Sequence, residues 1–250
     1  MMLKNVVLHT FITNRFSKST LKVIAVIAVL VFTNCSTANE DEKPNATDPV
    51  EEKQTNAKYS VTFEINWNKN NFPVDYPSGA HFSSIVGWSH KTTSTFMKVG
   101  TFASKGIKDV AETGSTVEIK KEIEEKISNK EGKNFFKGSG LGSGVGKIEI
   151  EIEIEVDRDY PSISLITMIA PSPDWYVGIL NINLFENEKF ISERTLDGLV
   201  YDAGTDDGLT FRAANKVTDP HQKIFLLTAP PLGDGKTVAK KFCTVKIKKL

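Results

Sequence analysis

The chain has 250 residues, of which 40% are hydrophobic and 17 are glycine. This composition is typical of a globular protein and excludes a fully disordered chain or a polytopic membrane protein. The formal net charge is zero, with 31 basic and 31 acidic residues. No block of Lys and Arg follows residue 34. The sequence therefore lacks the basic footprint of a nucleic-acid-binding protein, and we expect no nucleic-acid partner.

The first 35 residues have the pattern of a bacterial lipoprotein signal peptide. A basic segment without acids ends at Lys22, and ten apolar residues follow at 23–32. As a helix, these ten residues would be only about 15 Å long, half of a bilayer core. The position of Cys35 resembles a lipobox, in which the cysteine is diacylated and becomes the mature N-terminus. We predict lipidation of Cys35, with an uncleaved anchor or a plain secreted protein as the alternatives.

Residues 36–57 form an acidic segment with six acids, two prolines and almost no apolar side chains. Such a segment buries too little apolar surface to offset its ordering entropy, so it predicts a disordered tether. Acids soon after a lipidated cysteine resemble a surface-export signal. These features predict an outer-membrane lipoprotein of the bacterial cell envelope that is exposed at the surface.

Residues 58–250 are predicted to be one folded domain dominated by strands. The odd-numbered residues of 59–67 are apolar and alternate with mostly polar ones, which indicates a half-buried strand. Cys243 falls within the last predicted strand, where a buried and inert thiol is expected. Runs rich in Ile, Val, Leu and Phe predict further strands at residues 147–156, 162–170, 176–184, 223–229 and 240–248.

Two short helices interrupt the strands. One is predicted over 104–112, ending at Gly114, and the other starts at a capping box formed by residues 115–118. The second has isoleucines at 119, 123 and 127, which lie along one helix face. The glycine-rich run 138–146 matches neither common phosphate-loop pattern and is interpreted as a loop. The fold class is therefore mostly β, an antiparallel β-sandwich with one or two short helices.

Enzyme motifs are missing from the sequence, but acids stand at predicted strand ends and turns. The histidines have no zinc-site spacing, and no nucleophile elbow occurs. Asp174 follows two prolines, Asp202 opens a glycine-containing turn, and Glu155 ends a strand in which Ile alternates with Glu. Calcium binds such oxygen ligands on turns, although Asp also occurs in turns for purely local reasons. The residue types alone leave both interpretations open.

Two longer motifs indicate a family. Pro-Ser-Pro-Asp-Trp surrounds Asp174 and Asp-Ala-Gly-Thr-Asp starts at Asp202, after an upstream His-Phe-Ser-Ser-Ile-Val-Gly at 81–87. Over residues 58–250 the chain resembles the spondin N-terminal domain family, the F-spondin and mindin-like domain. The resemblance implies a sandwich similar to calcium-dependent phospholipid-binding domains, with one bound Ca²⁺. Carried over by position, its ligands are Glu155, Asp174 and Asp202, with Asp206 as a further candidate.

The resemblance implies a non-catalytic role in adhesion or ligand recognition. The expected partners are a membrane, through the lipid anchor, and an extracellular protein or glycan that the sequence does not identify. The alternative is a glycan-binding or glycan-cleaving envelope protein that uses exposed Trp88 and Trp175 with nearby acids. A plain structural protein of the envelope is a third interpretation. Glu149, Glu151 and Glu153 are expected on the outer face of their strand.

Overall fold

A computed structural model describes residues 54–150, 153–236 and 241–250. The predicted signal peptide, Cys35 and nearly all of the predicted tether lie outside these residues. The helices are α1 (Lys105–Thr113) and α2 (Val117–Ser128). The strands are β1 (Asn56–Asn66), β2 (His81–Phe82), β3 (Val86–His90), β4 (Gly132–Lys137), β5 (Val145–Glu149), β6 (Ile154–Asp157), β7 (Ser162–Ala170), β8 (Trp175–Asn183), β9 (Phe185–Glu186), β10 (Lys189–Phe190), β11 (Glu193–Asp197), β12 (Leu199–Asp202), β13 (Phe225–Leu226) and β14 (Cys243–Lys249).

The longer strands form two antiparallel sheets. The first sheet has the order β11-β14-β1-β5, and β6 also pairs with β1. The second sheet has the order β13-β12-β8-β7-β3-β4, and β2 also pairs with β7. The short strands β9 and β10 pair only with each other among the described residues. The predicted β-sandwich is confirmed.

One hydrophobic core lies between the two sheets. In β1 every second residue is buried, from Ala57 to Ile65, and Trp67 continues the series beyond the strand. These side chains pack with Ile163 and Leu165 of β7 and with the buried face of β14. A large apolar side chain contributes roughly 2 kcal/mol on full burial. The alternation in the sequence thus predicted the correct inner face of β1.

A second core lies on the other face of the second sheet, under the two helices. Ile107 of α1 and Ile119 of α2 pack there against Ile166 of β7 and Tyr176 of β8. Every residue of β7 is therefore buried. A strand covered on both faces reads as a continuous apolar run, which explains the sequence Ser-Ile-Ser-Leu-Ile-Thr-Met-Ile-Ala. The sandwich carries a helical layer on one side.

Helix α1 begins and ends as predicted. The Ser104 hydroxyl accepts a hydrogen bond from the Ile107 amide at 3.2 Å. Gly114 adopts the left-handed conformation, with φ of 68°, in which glycine avoids the steric cost of a Cβ atom.

The predicted capping box of α2 is wrong. Thr116 is the N-cap residue, and its side chain makes no capping hydrogen bond. Glu122 of α2 instead caps the neighbouring helix α1. It accepts a hydrogen bond from the Gly106 amide at 2.7 Å and another from the Ser104 hydroxyl at 2.6 Å. This arrangement supplies a partner and a negative charge to the helix N-terminus.

Three strand predictions need correction. The strand predicted at 147–156 is observed as β5 and β6, and residues 151–152 between them are outside the described part. The strand predicted at 223–229 contracts to the two residues of β13, and the last strand begins only at Cys243. The glycine-rich run 138–146 connects β4 with β5, and its end forms the start of β5.

The predicted exposed glutamates and the buried thiol can also be located. Glu149 and Glu153 are exposed, whereas Glu151 lies outside the described residues. Cys243 is buried, and burial raises the pKa of its thiol to about 12. Neither of the helices in the described part of the chain has the length and apolar character needed to cross a bilayer.

The close approach of β3 to β7 generates a test of the packing. A Cβ atom on Gly87 would lie 1.9 Å from the Ser164 carbonyl oxygen, whereas one on Gly142 would meet no atom within 4 Å. Gly87→Ala should lower the free energy of unfolding by about 3 kcal/mol, since backbone must move. Gly142→Ala is the matched control and should change it by less than about 0.5 kcal/mol. Urea denaturation measures both, and equal effects would contradict the described packing.

Candidate metal centre

Two of the predicted ligands come together at one end of the second sheet. Asp174 immediately precedes β8, and Asp202 is the last residue of β12. These strands are neighbours, and Asp202 lies opposite Trp175 in their register. The Ala203 amide also donates a hydrogen bond to the Asp174 carbonyl at 3.2 Å. Strand pairing therefore brings residues 28 positions apart to the same sheet end.

Asp174 has no solvent exposure, and its carboxylate is only partly satisfied. Its Oδ2 atom accepts hydrogen bonds from the Thr205 amide at 2.7 Å, the Asp206 amide at 3.1 Å and the Thr205 hydroxyl at 3.2 Å. Its buried Oδ1 atom has no hydrogen-bond partner within the described residues. A buried oxygen without a partner is costly, roughly 1–3 kcal/mol, and a cation or water would relieve that cost.

Asp202 is also buried, with 8% of its surface exposed. Its Oδ1 atom accepts a hydrogen bond from the Gly204 amide at 2.8 Å, and its Oδ2 atom accepts one from Trp175 Nε1 at 3.0 Å. Gly204 has a φ of 72°, a conformation in which a glycine carries no steric penalty. The Asp-Ala-Gly sequence thus folds back so that its own amide binds its own carboxylate.

The electrostatics of the pair favour a positive charge. Burial raises the pKa of Asp174 above its ordinary value. Burial, followed by the negative charge of Asp174, raises the pKa of Asp202 from 3.8 to about 7. The pKa of Tyr176 is raised well above 10 by burial and by its neighbours Tyr201, Asp174 and Asp202. Each shift reflects the cost of holding negative charge there without a counter-ion.

Asp206, the further candidate, is buried nearby but binds its own turn. Its Oδ1 atom accepts a hydrogen bond from the Gly208 amide at 2.8 Å, and its Oδ2 atom accepts one from the Lys216 amide at 3.1 Å. In the described part of the chain, no group of three or more His, Cys, Asp or Glu side chains is arranged to hold a metal ion. The centre is therefore a carboxylate pair.

The structure does not bring Glu155 to this pair. Glu155 lies on β6, in the first sheet, and forms an ion pair with Lys133 of β4 at 2.7 Å. The order of the second sheet places β4 three strands from β8. Lys133 also lies level with Ser162, which pairs with Asn183 at the end of β8 opposite to Trp175. The level of Lys133 and the level of Trp175 are therefore separated by the length of β8, which is roughly 27 Å for nine residues.

The donors of the pair fit a hard divalent cation. Two carboxylates supply a charge of −2, and the oxygen atoms of carboxylates, backbone carbonyls and water are what Ca²⁺ binds. The Oδ1 atom of Asp174, which has no hydrogen-bond partner among the described residues, could bind such an ion. Sequence reasoning missed Thr205 and Trp175, which fix the orientation of the two carboxylates. Both residues belong to the motifs around the aspartates, so the signal was present.

The glycan alternative required exposed tryptophans, and the structure buries them. Trp88 has no exposure and packs in the core under the helices, stacked on His90 at 4.8 Å between ring centroids. Trp175 is 2% exposed and faces the core between the sheets, where it contacts Phe211. A carbohydrate platform built on these two rings is therefore wrong.

The fold and the acidic pair define an antiparallel β-sandwich domain with a buried carboxylate centre at one end. The Spondin_N family model matches residues 57–238, which include both aspartates and every strand of the second sheet, whereas β14 of the first sheet follows the matched residues. The chain belongs to this family, as the Pro-Ser-Pro-Asp-Trp and Asp-Ala-Gly-Thr-Asp motifs predicted.

Relatives with spondin names support this assignment. Spondin-1 from Rattus norvegicus is 36% identical over 179 residues, which is 69% of this chain but 22% of the relative. Spondin-1 from Gallus gallus is 33% identical over 201 residues, covering 75% of this chain and 25% of the relative. Spondin-2 from Homo sapiens is 33% identical over 176 residues, covering 69% and 53%. The chain thus spans about a quarter or less of the Spondin-1 relatives and about half of Spondin-2.

The raised pKa of Asp202 predicts an unusual dependence of stability on pH. Between about pH 4 and pH 7, the folded domain binds more protons at this site than the unfolded chain. The free energy of unfolding should therefore decrease as the pH rises through this range when chelator is present. Urea denaturation of the wild type and of Asp202→Asn measures the effect, and the variant should lose this component of the slope.

The variant is also the necessary control. Burial lowers the pKa of His90, so His90 acts in the opposite direction and destabilises the fold as the pH falls below about 6.5. Both proteins contain His90, and the difference between their pH profiles isolates Asp202. Parallel profiles would contradict the raised pKa of Asp202.

Proposed function

We propose that the chain is a non-catalytic recognition domain of the cell envelope, stabilised by one calcium ion. The buried carboxylate pair Asp174 and Asp202, with an unpartnered oxygen, is the observation that carries the calcium part of this proposal. Membership of the spondin family supports the recognition part, because the family resemblance favours adhesion over enzymatic activity. The proposed ligand is an extracellular protein or glycan.

In this proposal, calcium is held by Asp174 and Asp202, and backbone carbonyls and water complete its shell. Glu155 is not a ligand, since its ion pair with Lys133 lies at the opposite end of the sheet. The ion neutralises two carboxylates whose charged forms are otherwise disfavoured by burial. The turn 203–206 is bonded to Asp174 and would be ordered with it. In this proposal calcium therefore has a structural role and not a catalytic one.

The calcium proposal predicts a rise in the melting temperature. Ligand that binds only the folded state contributes roughly 2.7 kcal/mol at a hundredfold excess over Kd. For a domain of this size, the melting temperature should increase by about 5–10 °C, and chelator should reverse the increase. Asp174→Asn and Asp202→Asn should abolish the shift. Differential scanning calorimetry with and without Ca²⁺ gives the measurement.

Glu155→Gln and Glu149→Gln are the matched controls for this experiment. Each removes one carboxylate from a partly or fully exposed side chain outside the aspartate pair. Both variants should keep the full calcium shift. A shift lost in Glu155→Gln but kept in Asp174→Asn would contradict the proposed centre. If isothermal titration calorimetry detected no heat of binding at millimolar Ca²⁺, that result would also contradict the proposed centre.

We further propose that the domain is anchored to the outer membrane by a diacylated Cys35 and faces the outside of the cell. The basic flank, the short apolar core and the lipobox-like cysteine support this proposal. Cys35→Ala should leave the precursor unprocessed or release the protein from the membrane fraction. Intact mass spectrometry of the mature protein decides the matter, because an unmodified start at another residue would contradict lipidation.

A further inference from the structure

A groove of about 430 Å³ opens at the sheet end opposite the aspartate pair. Three loops form its walls. Residues 91–93 follow β3, Lys130 lies in the turn between α2 and β4, and residues 158–161 connect β6 with β7. These loops meet because His90 at the end of β3 pairs with Gly132 of β4 on one side and Ser162 of β7 on the other.

The groove is positively charged. Lys91, Lys130 and Arg158 line it, and Asp159 is the only acidic lining residue in the described part of the chain. Neither lysine has an ion-pair partner among the described residues. The neighbouring acids Glu155 and Asp157 are already paired with Lys133. One lysine offsets only one of these two carboxylates. Arg158 donates two hydrogen bonds to the Gln54 carbonyl, at 3.1 and 2.8 Å, so Lys91 and Lys130 are the cations of the groove that remain available to a ligand.

The wall that carries Lys91 is fixed by a buried side chain. Nδ1 of His90 hydrogen-bonds the Lys91 carbonyl at 2.7 Å, and the Ser94 amide donates to the same carbonyl at 3.0 Å. His90 has no exposure, and its Nε2 atom hydrogen-bonds the Ser164 hydroxyl at 2.9 Å. The main chain at Lys91 is thus tied to the core, which reduces the entropy lost on binding.

The second lysine is held in a strained conformation. Lys130 has a φ of 59°, a left-handed conformation that costs a residue with a Cβ atom about 1 kcal/mol relative to glycine. Glycine is the usual residue at such a position after a helix. The lysine thus lowers the stability of the turn and places a cation at the groove.

We propose that this groove binds an anionic polysaccharide, through carboxylate, phosphate or sulfate groups on its sugar units. Lys91 and Lys130 would pair with the acidic groups, and Arg158 adds positive charge to the wall. The hydroxyls of Thr92 and Thr93 would hydrogen-bond sugar hydroxyls, and the volume accommodates one or two sugar rings. The Tyr160 ring, 5.9 Å from Lys91 Nζ, supplies an apolar surface beside the cation.

This inference gives the proposed recognition domain a class of ligand, and it depends on that recognition role but not on the calcium centre. Ser162 and Trp175 mark the two sheet ends, at opposite ends of the β7–β8 pair. Removal of calcium should therefore leave the groove intact. The calcium centre and the groove are therefore independent proposals, and measuring polysaccharide binding with and without chelator distinguishes the failure of one from the failure of the other.

The test measures binding of the folded domain, residues 54–250, to immobilised polysaccharides by biolayer interferometry. Dextran sulfate and polygalacturonate are the anionic probes, and unmodified dextran is the neutral one. We expect binding to both anionic polymers, none to neutral dextran, and a strong decrease as the salt concentration rises. Binding to neutral dextran of equal strength would overturn the proposal.

Single substitutions locate the site. Lys91→Gln and Lys130→Gln should each weaken binding up to about fivefold, the effect of losing one partly exposed ion pair. The double variant should weaken it about twenty-fivefold if the two effects add. Lys98→Gln is the matched control, because Lys98 is exposed and lies outside the groove. Equal loss in Lys98→Gln would show non-specific attraction and overturn the assignment.

Lys130→Gly separates binding from structure. This variant should raise the melting temperature, since strain is removed, and weaken polysaccharide binding as Lys130→Gln does. If Lys130 had only a structural role, Lys130→Gly would change the melting temperature and leave polysaccharide binding unchanged.

The same binding measurement in the presence of chelator tests whether the groove depends on the calcium centre. Binding that is retained in chelator supports the independence of the groove, and binding that is lost would overturn that independence. Full competition by inorganic phosphate at low millimolar concentration, or preferential binding to anionic lipid vesicles, would overturn a polysaccharide as the ligand.

Discussion

Every residue of β7 is buried, because the first sheet covers one of its faces and the two helices cover the other. This strand consequently fixes the position of both ends of the second sheet. Its first residue lies beside the basic groove, and its last residue leads into the turn that carries Asp174. Any shift in its register would move apolar side chains out of both cores at once. The two candidate sites therefore lie at opposite ends of one fully buried strand.

The carboxylate centre illustrates how a fold can be stable around a locally unfavourable group. Asp174 and Asp202 accept hydrogen bonds from main-chain amides of the same turn, so their positions are set by the backbone. Those bonds favour the charged forms, yet burial outweighs them and raises both pKa values. The surrounding cores supply the stability that the centre lacks. A cation that entered would convert the least favourable part of the domain into a stabilising one.

Local patterns in the sequence predicted much of this structure. The alternation from Tyr59 to Trp67 identified β1, and Ser104 with Gly114 identified both ends of α1, because each signal acts between residues close in sequence. Predictions failed where a contact crosses between elements. Glu122 caps another helix, so the local capping box was misleading. The spacing from Glu155 to Asp174 carried no information about which sheet end each residue occupies. The basic groove was missed because three separate loops form it.

The first and last strands of the described domain, β1 and β14, are neighbours in the first sheet. Tyr59 pairs with Lys249, so this contact closes a loop of almost the whole domain. Contacts of such long sequence separation make folding slow, because the closure entropy is lost before the contact forms. During synthesis, the edge of β1 that pairs with β14 stays open until β14 has emerged. A chain interrupted before residue 243 would expose a long apolar strand edge, which makes it a target for aggregation and proteolysis.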